Sequence, residues 1–163
     1  MSSVRHPRPK RRNYDDAAVN LLRMIDIAVE SCDYITNCYD GYQDVRRGEL
    51  HGLRQRVLQA PPEMRNLRVL NAVQRELLRH YYCMYGEPDI EFFWTKAEDE
   101  CLAERRDHVA RALERSRIVG RDEHYCIEYM YMKQYDEGHI TKTQMRKVER
   151  MLDAFIHHRG YKV

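Results

Sequence analysis

The chain has 163 residues, enough to bury a core without disulfides or a structural metal, and its formal net charge is only +2. No apolar run reaches the roughly 18 residues that a membrane span needs, and the N-terminus is polar and basic, so neither a membrane segment nor a secretory leader is expected. The five cysteines (Cys32, Cys38, Cys83, Cys101, Cys126) are odd in number, lack C-x-x-C spacing and sit in apolar helical patterns, which predicts reduced core residues in a cytoplasmic protein.

Residues 1–12 hold two prolines and the bases Arg5, Arg8, Lys10, Arg11 and Arg12 with almost nothing to bury, and they predict a disordered basic arm. A single helical domain is expected over 13–163. Its first helix opens with Asn13 as N-cap, carries Leu21, Leu22, Met24, Ile25, Ala28, Val29, Cys32 and Ile35 on one face, and is predicted to end near Gly41. Asp26, Glu30 and Asp33 fall on the opposite face. A second helix is expected over 44–59 with Leu50, Leu53 and Val57 inward, weakened by Gly48 and Gly52. Pro61 and Pro62 are expected to end it and open a third helix to about Tyr85, with Leu67, Leu70, Val73, Leu77, Leu78, Tyr81 and Met84 facing the core.

The segment from Glu87 to Trp94 reads as a short turn whose Ile90, Phe93 and Trp94 plug the core. Thr95-x-x-Glu98 then reads as a capping box for a long, mostly solvated helix to Val119. A fifth helix is expected over 122–137, Gly138 as its left-handed stop, Thr141-x-x-Gln144 as a second capping box, and a last helix ending at Gly160. The short connection predicts an antiparallel helical hairpin over 122–160. The stretch from Tyr131 to Leu152 resembles the short C-terminal hairpin called the SHOCT domain, chiefly in its G-x-I-T turn. The expected fold is thus all-α, a compact bundle of five to six helices.

The near-neutral total conceals blocks of alternating sign. Residues 45–86 carry eight arginines against three acids, whereas 87–104 carry seven acids against one lysine. On the third helix Arg65, Arg68, Arg75 and Arg79 fall within about 80° of one another, opposite the leucines, and would line about 21 Å of helix. Guanidinium groups bind carboxylate or phosphate in a bidentate way, so this stripe could grip a nucleic-acid backbone, meet an acidic protein surface, pair with the acidic face of the first helix, or simply be solvated. The fifth helix packs Tyr125, Tyr129, Met130, Tyr131, Met132 and Tyr135 into eleven positions. Such a girdle predicts either a central helix or a contact surface for a partner or a second copy.

No catalytic residue, metal site or cofactor is assigned. Arg75-x4-His80 and Arg46-x4-His51 resemble the Arg-x4-6-His spacing of HEPN ribonucleases, but 22 arginines and eight histidines produce such spacings about as often as composition alone does. The expected function is a non-enzymatic binding protein, a regulator, adaptor or inhibitor of the type mobile elements and phages encode, acting stoichiometrically on a protein or nucleoprotein partner. Direct DNA or RNA binding through the stripe and arm is the alternative, and an HEPN-like ribonuclease the third.

Overall fold

The structure, a computed structural model, describes residues 13–36, 38–84 and 86–158, with the side chain of His158 left out. The basic arm, and with it Arg5, Arg8, Lys10, Arg11 and Arg12, lies outside the described residues, as does Gly160. Among the described residues the fold is all-helical: α1 (Tyr14–Ser31), α2 (Tyr42–Leu58), α3 (Leu67–Cys83), α4 (Pro88–Asp99), α5 (His108–Arg115), α6 (Arg121–Asp136) and α7 (Lys142–His158), with 3-10 turns at Cys32–Tyr34 and Pro62–Met64.

Helices begin where a side chain can satisfy the first free backbone N–H groups. Asn13 accepts from the Asp15 N–H at 3.1 Å and Asn66 from that of Val69 at 3.1 Å. The Thr141–Gln144 capping box closes reciprocally, with Thr141 N–H donating to Gln144 Oε1 at 2.8 Å and Gln144 N–H to Thr141 Oγ1 at 3.2 Å. Before it, Gly138 takes φ +78°, and the N–H groups of Gly138 and His139 return to the carbonyls of Tyr135 and Gln134 at 3.0 and 2.8 Å.

Three expected boundaries are displaced. The first helix stops at Ser31, ten residues short of Gly41, where the Ser31 hydroxyl turns back to the Ala28 carbonyl at 2.7 Å and meets the Tyr81 hydroxyl at 2.9 Å. Pro62 opens only a 3-10 turn, and α3 waits for Asn66. Leu67 at this late start and Met84, extended just past the last residue of α3, were expected in the core and are 36% and 41% exposed.

The third displacement matters most. The expected helix over 95–119 is two helices, and Thr95 caps neither: it lies within α4 and its hydroxyl donates to the Glu91 carbonyl at 2.8 Å, while Glu98 accepts from the Arg105 N–H at 2.9 Å. Ile90, Phe93 and Trp94 do plug the core, but from a helix rather than a turn. Cys101 ends α4 at φ +54°, with its own N–H and that of Leu102 returning to Glu98 and Ala97, each at 2.9 Å. Ser116 ends α5 in the same way at φ +57°. Both are stops of the kind glycine usually provides. Among the described residues the count therefore rises to seven.

The buried residues form two apolar clusters. One joins α1–α4 around Tyr81, Phe93 and Trp94, with the Tyr81 and Phe93 rings stacked at 3.7 Å and Trp94 Nε1 donating to the Tyr81 carbonyl at 3.0 Å. The other joins α5–α7 around Val109, Ile127, Met130 and Val148. Helices α3 and α6 pack on each other and form the seam between them. Of the cysteines expected in the core, Cys32, Cys83 and Cys126 are buried, but Cys38 and Cys101 are exposed.

Candidate functional site

The acidic face of α1 is occupied by arginines, but not those of α3. Asp26 pairs with Arg54 of α2 at 2.7 Å, Asp33 in the 3-10 turn after α1 with Arg47 of α2, and Glu30 with Arg23 of α1 itself at 3.1 Å. The α3 stripe divides. Arg65 donates to the Ala60 carbonyl at 2.9 Å and so holds the turn before the helix, and Arg68 is exposed near its N-terminal end. Arg75 and Arg79 line a cavity of about 640 Å³ between α3, the connection over 100–107, α5 and α6.

Three further arginines line the same cavity: Arg106 from the connection, and Arg111 and Arg115 from α5. The break at Cys101 is what brings them there, since in one continuous helix this segment would not fold back on α3. The clue in the sequence is the run 105–121, with six arginines against two acids. Against the five arginines stand Glu104, Asp122 and Glu123. Glu123 is buried and already engaged, accepting from Arg115 and from the Val119 N–H at 2.6 Å. Among the described residues Arg75, Arg79, Arg106 and Arg111 make no ion pair. Four arginines that line one water-accessible space, with no carboxylate partner among the described residues, create a positive potential that a polyanion can relieve.

His108 sits at the wall of this cavity with both ring nitrogens buried and, among the described residues, without a hydrogen-bond partner. Its Nδ1 is 3.7 Å from Glu123 Oε1, beyond hydrogen-bond reach, and the Tyr82 ring stands edge-on at 4.9 Å. Burial pushes the imidazole below its ordinary value, outweighing the Glu123 carboxylate, while Arg111 and Arg106 push in the same direction as burial. The unfolded chain therefore binds more protons than the folded protein just below the ordinary value near pH 6.5. The stability that the neutral ring contributes is present above that pH and declines as pH falls through it. The thermal midpoint should thus fall between about pH 7.5 and 5.5, and His108→Gln should reduce the fall.

A second cavity, of about 760 Å³, lies on the other side of Arg79 and is lined by Arg46, His80, Tyr125 and Tyr129 among others. Arg79 is common to both. Its guanidinium stacks over the Tyr125 ring at 4.7 Å, and the Tyr129 ring follows at 4.6 Å. Arg46 is 9% exposed, bonds Glu49 through Nη1 at 2.9 Å and leaves Nε and Nη2 buried with no hydrogen-bond partner among the described residues. The tyrosine and methionine girdle of α6 is therefore split. Met130 is buried and Tyr131 and Tyr135 pack on the second cluster, whereas Tyr125, Tyr129 and Met132, spaced at helical intervals of four and three, are exposed at 36%, 58% and 43%.

Neither Arg-x4-His pair lines one cavity together: Arg75 faces the first and His80 the second, and His51 is exposed away from Arg46. Among the described residues no cluster of His, Cys, Asp or Glu could hold a metal, and no helix is long and apolar enough to cross a membrane. No protein-family model, curated protein or solved structure matches the chain.

Proposed function

We propose that this chain is a non-enzymatic binding protein that holds a nucleic acid, free or within a nucleoprotein, along the α3–α6 seam. The observation that carries this reading is the convergence of Arg75, Arg79, Arg106 and Arg111 on one cavity with no carboxylate partner among the described residues. Phosphates would be drawn to these groups, and bases would stack on the Arg79–Tyr125–Tyr129 column beside them. A positive groove next to exposed aromatic rings favours a single strand, whose bases are free to stack, over a duplex.

The test is fluorescence anisotropy of a labelled single-stranded oligonucleotide over a salt series. Four phosphate contacts predict log–log salt dependence with a slope of about −3. A duplex of the same length should bind more weakly, and Tyr129→Ala should cost the single strand about tenfold in affinity. Affinity should also tighten as pH falls, because a bound anion favours the protonated His108 ring. No binding at low salt, or a slope near zero, would overturn the proposal. The exposed Tyr125, Tyr129 and Met132 support a second reading, a protein partner or a second copy on this face, which predicts association insensitive to salt.

A further inference from the structure

The α3–α6 seam brings together two side chains that the binding reading does not use. Cys83, near the end of α3, and Cys126, in the first half of α6, place their Sγ atoms 2.7 Å apart, well inside the roughly 3.5–4 Å of ordinary non-bonded contact. They are 43 positions apart in the chain, so the approach is made by the fold and not by local sequence. The remaining cysteines are separate from this pair: Cys32 is buried and donates to the Ala28 carbonyl at 3.4 Å, and Cys38 and Cys101 are exposed.

We propose that Cys83 and Cys126 form a redox-active dithiol that small-molecule disulfides close to a protein disulfide, tying α3 to α6 across the boundary between the two apolar clusters. Both thiols are buried, at 7% and 2%, but each borders an opening, Cys83 the larger cavity and Cys126 the arginine cavity. They differ chemically. The hydrogen bond shared with Cys126 and the Arg79 charge hold the Cys83 thiol below its ordinary value, while the same bond and burial push Cys126 up. Cys83 is therefore the attacking thiolate.

In the first step Cys83 Sγ attacks one sulfur of the small disulfide, forming a mixed disulfide and expelling one thiolate. In the second, Cys126 gives up its proton and attacks Cys83 Sγ, expelling the other thiolate. Each leaving thiolate takes one cysteine proton, so one small disulfide is reduced to two thiols as the dithiol is oxidised. The site is independent of whether the chain binds nucleic acid.

The experiment equilibrates the full chain in glutathione buffers of increasing oxidised fraction, quenches with acid and measures intact mass. The expected result is a loss of about 2 Da that reduction reverses, with a peptide cross-link between positions 83 and 126. The oxidised form should melt about 5–10 °C higher, because the link closes a long loop. Cys38→Ser with Cys101→Ser should leave the mass loss intact and Cys126→Ser should eliminate it. An unchanged mass, glutathione adducts alone, a cross-link mapped to other cysteines, or a loss that persists in Cys126→Ser would each overturn the proposal.

Discussion

Replacing Arg75, Arg79, Arg106 and Arg111 together with glutamine is expected to weaken single-strand binding at least 100-fold at physiological salt and to flatten the salt slope from about −3 toward zero. Each charge-assisted contact to phosphate contributes about 1.5–3 kcal/mol, so loss of four leaves little specific attraction even with allowance for non-additivity. The same variant should fold normally. Among the described residues none of the four arginines forms an ion pair, so apart from the stacking of Arg79 on Tyr125, worth about 0.5–1 kcal/mol, each substitution should change stability by about 0.5 kcal/mol at most. A matched control is Arg47→Gln with Arg54→Gln, which removes the partners of Asp33 and Asp26 but touches neither cavity. That control should bind as the parent does. If the quadruple variant binds with an unchanged slope, the phosphate contacts lie elsewhere and the proposed site is wrong.

Trp94→Ala is expected to be the most damaging single substitution, at about 3–5 kcal/mol. The indole is 1% exposed, packs edge-on to Phe93 at 5.2 Å, and its N–H is the donor to the Tyr81 carbonyl. Truncation leaves a cavity in the first apolar cluster and a buried carbonyl without that donor, and the thermal midpoint should fall by about 10 °C. Trp94→Phe separates the two effects, since it restores most of the volume but not the hydrogen bond. Trp94 is the only tryptophan, so far-UV circular dichroism rather than intrinsic fluorescence is the measurement. A midpoint within a degree or two of the parent would show that the cluster does not depend on this ring.

What could be read from the residues alone follows the physics of each boundary. Asn13, Gly138 and the Thr141–Gln144 pair act through local hydrogen bonds, and local chemistry is visible in sequence. The stops at Cys101 and Ser116 use the same backbone geometry without the residue that usually marks it, so the break that builds the arginine cavity was hidden. Arg75 and Arg79 were legible as a helical stripe because they share α3. Their partners Arg106 and Arg111 were not, since only tertiary folding brings the connection over 100–107 and α5 to the cavity that α3 lines. The same holds for which acids are consumed: Asp26 and Asp33 find arginines on α2, a choice between helices that periodicity cannot make. On α6, alternation of Met130 and Tyr135 inward with Tyr129 and Met132 outward is a matter of degrees around a helix that has no wide polar face.

The connection over 100–107 carries Arg106 and is fastened near both ends. Glu100 is gripped by Arg23 through Nε at 2.7 Å and Nη2 at 2.6 Å, and Arg105 forks onto Glu91 at 2.8 and 3.0 Å. Paired donors of this kind fix orientation as well as distance. The segment that brings charge to the cavity is thus preorganised by the α1–α4 layer before any ligand arrives, and little conformational freedom is left to lose on binding.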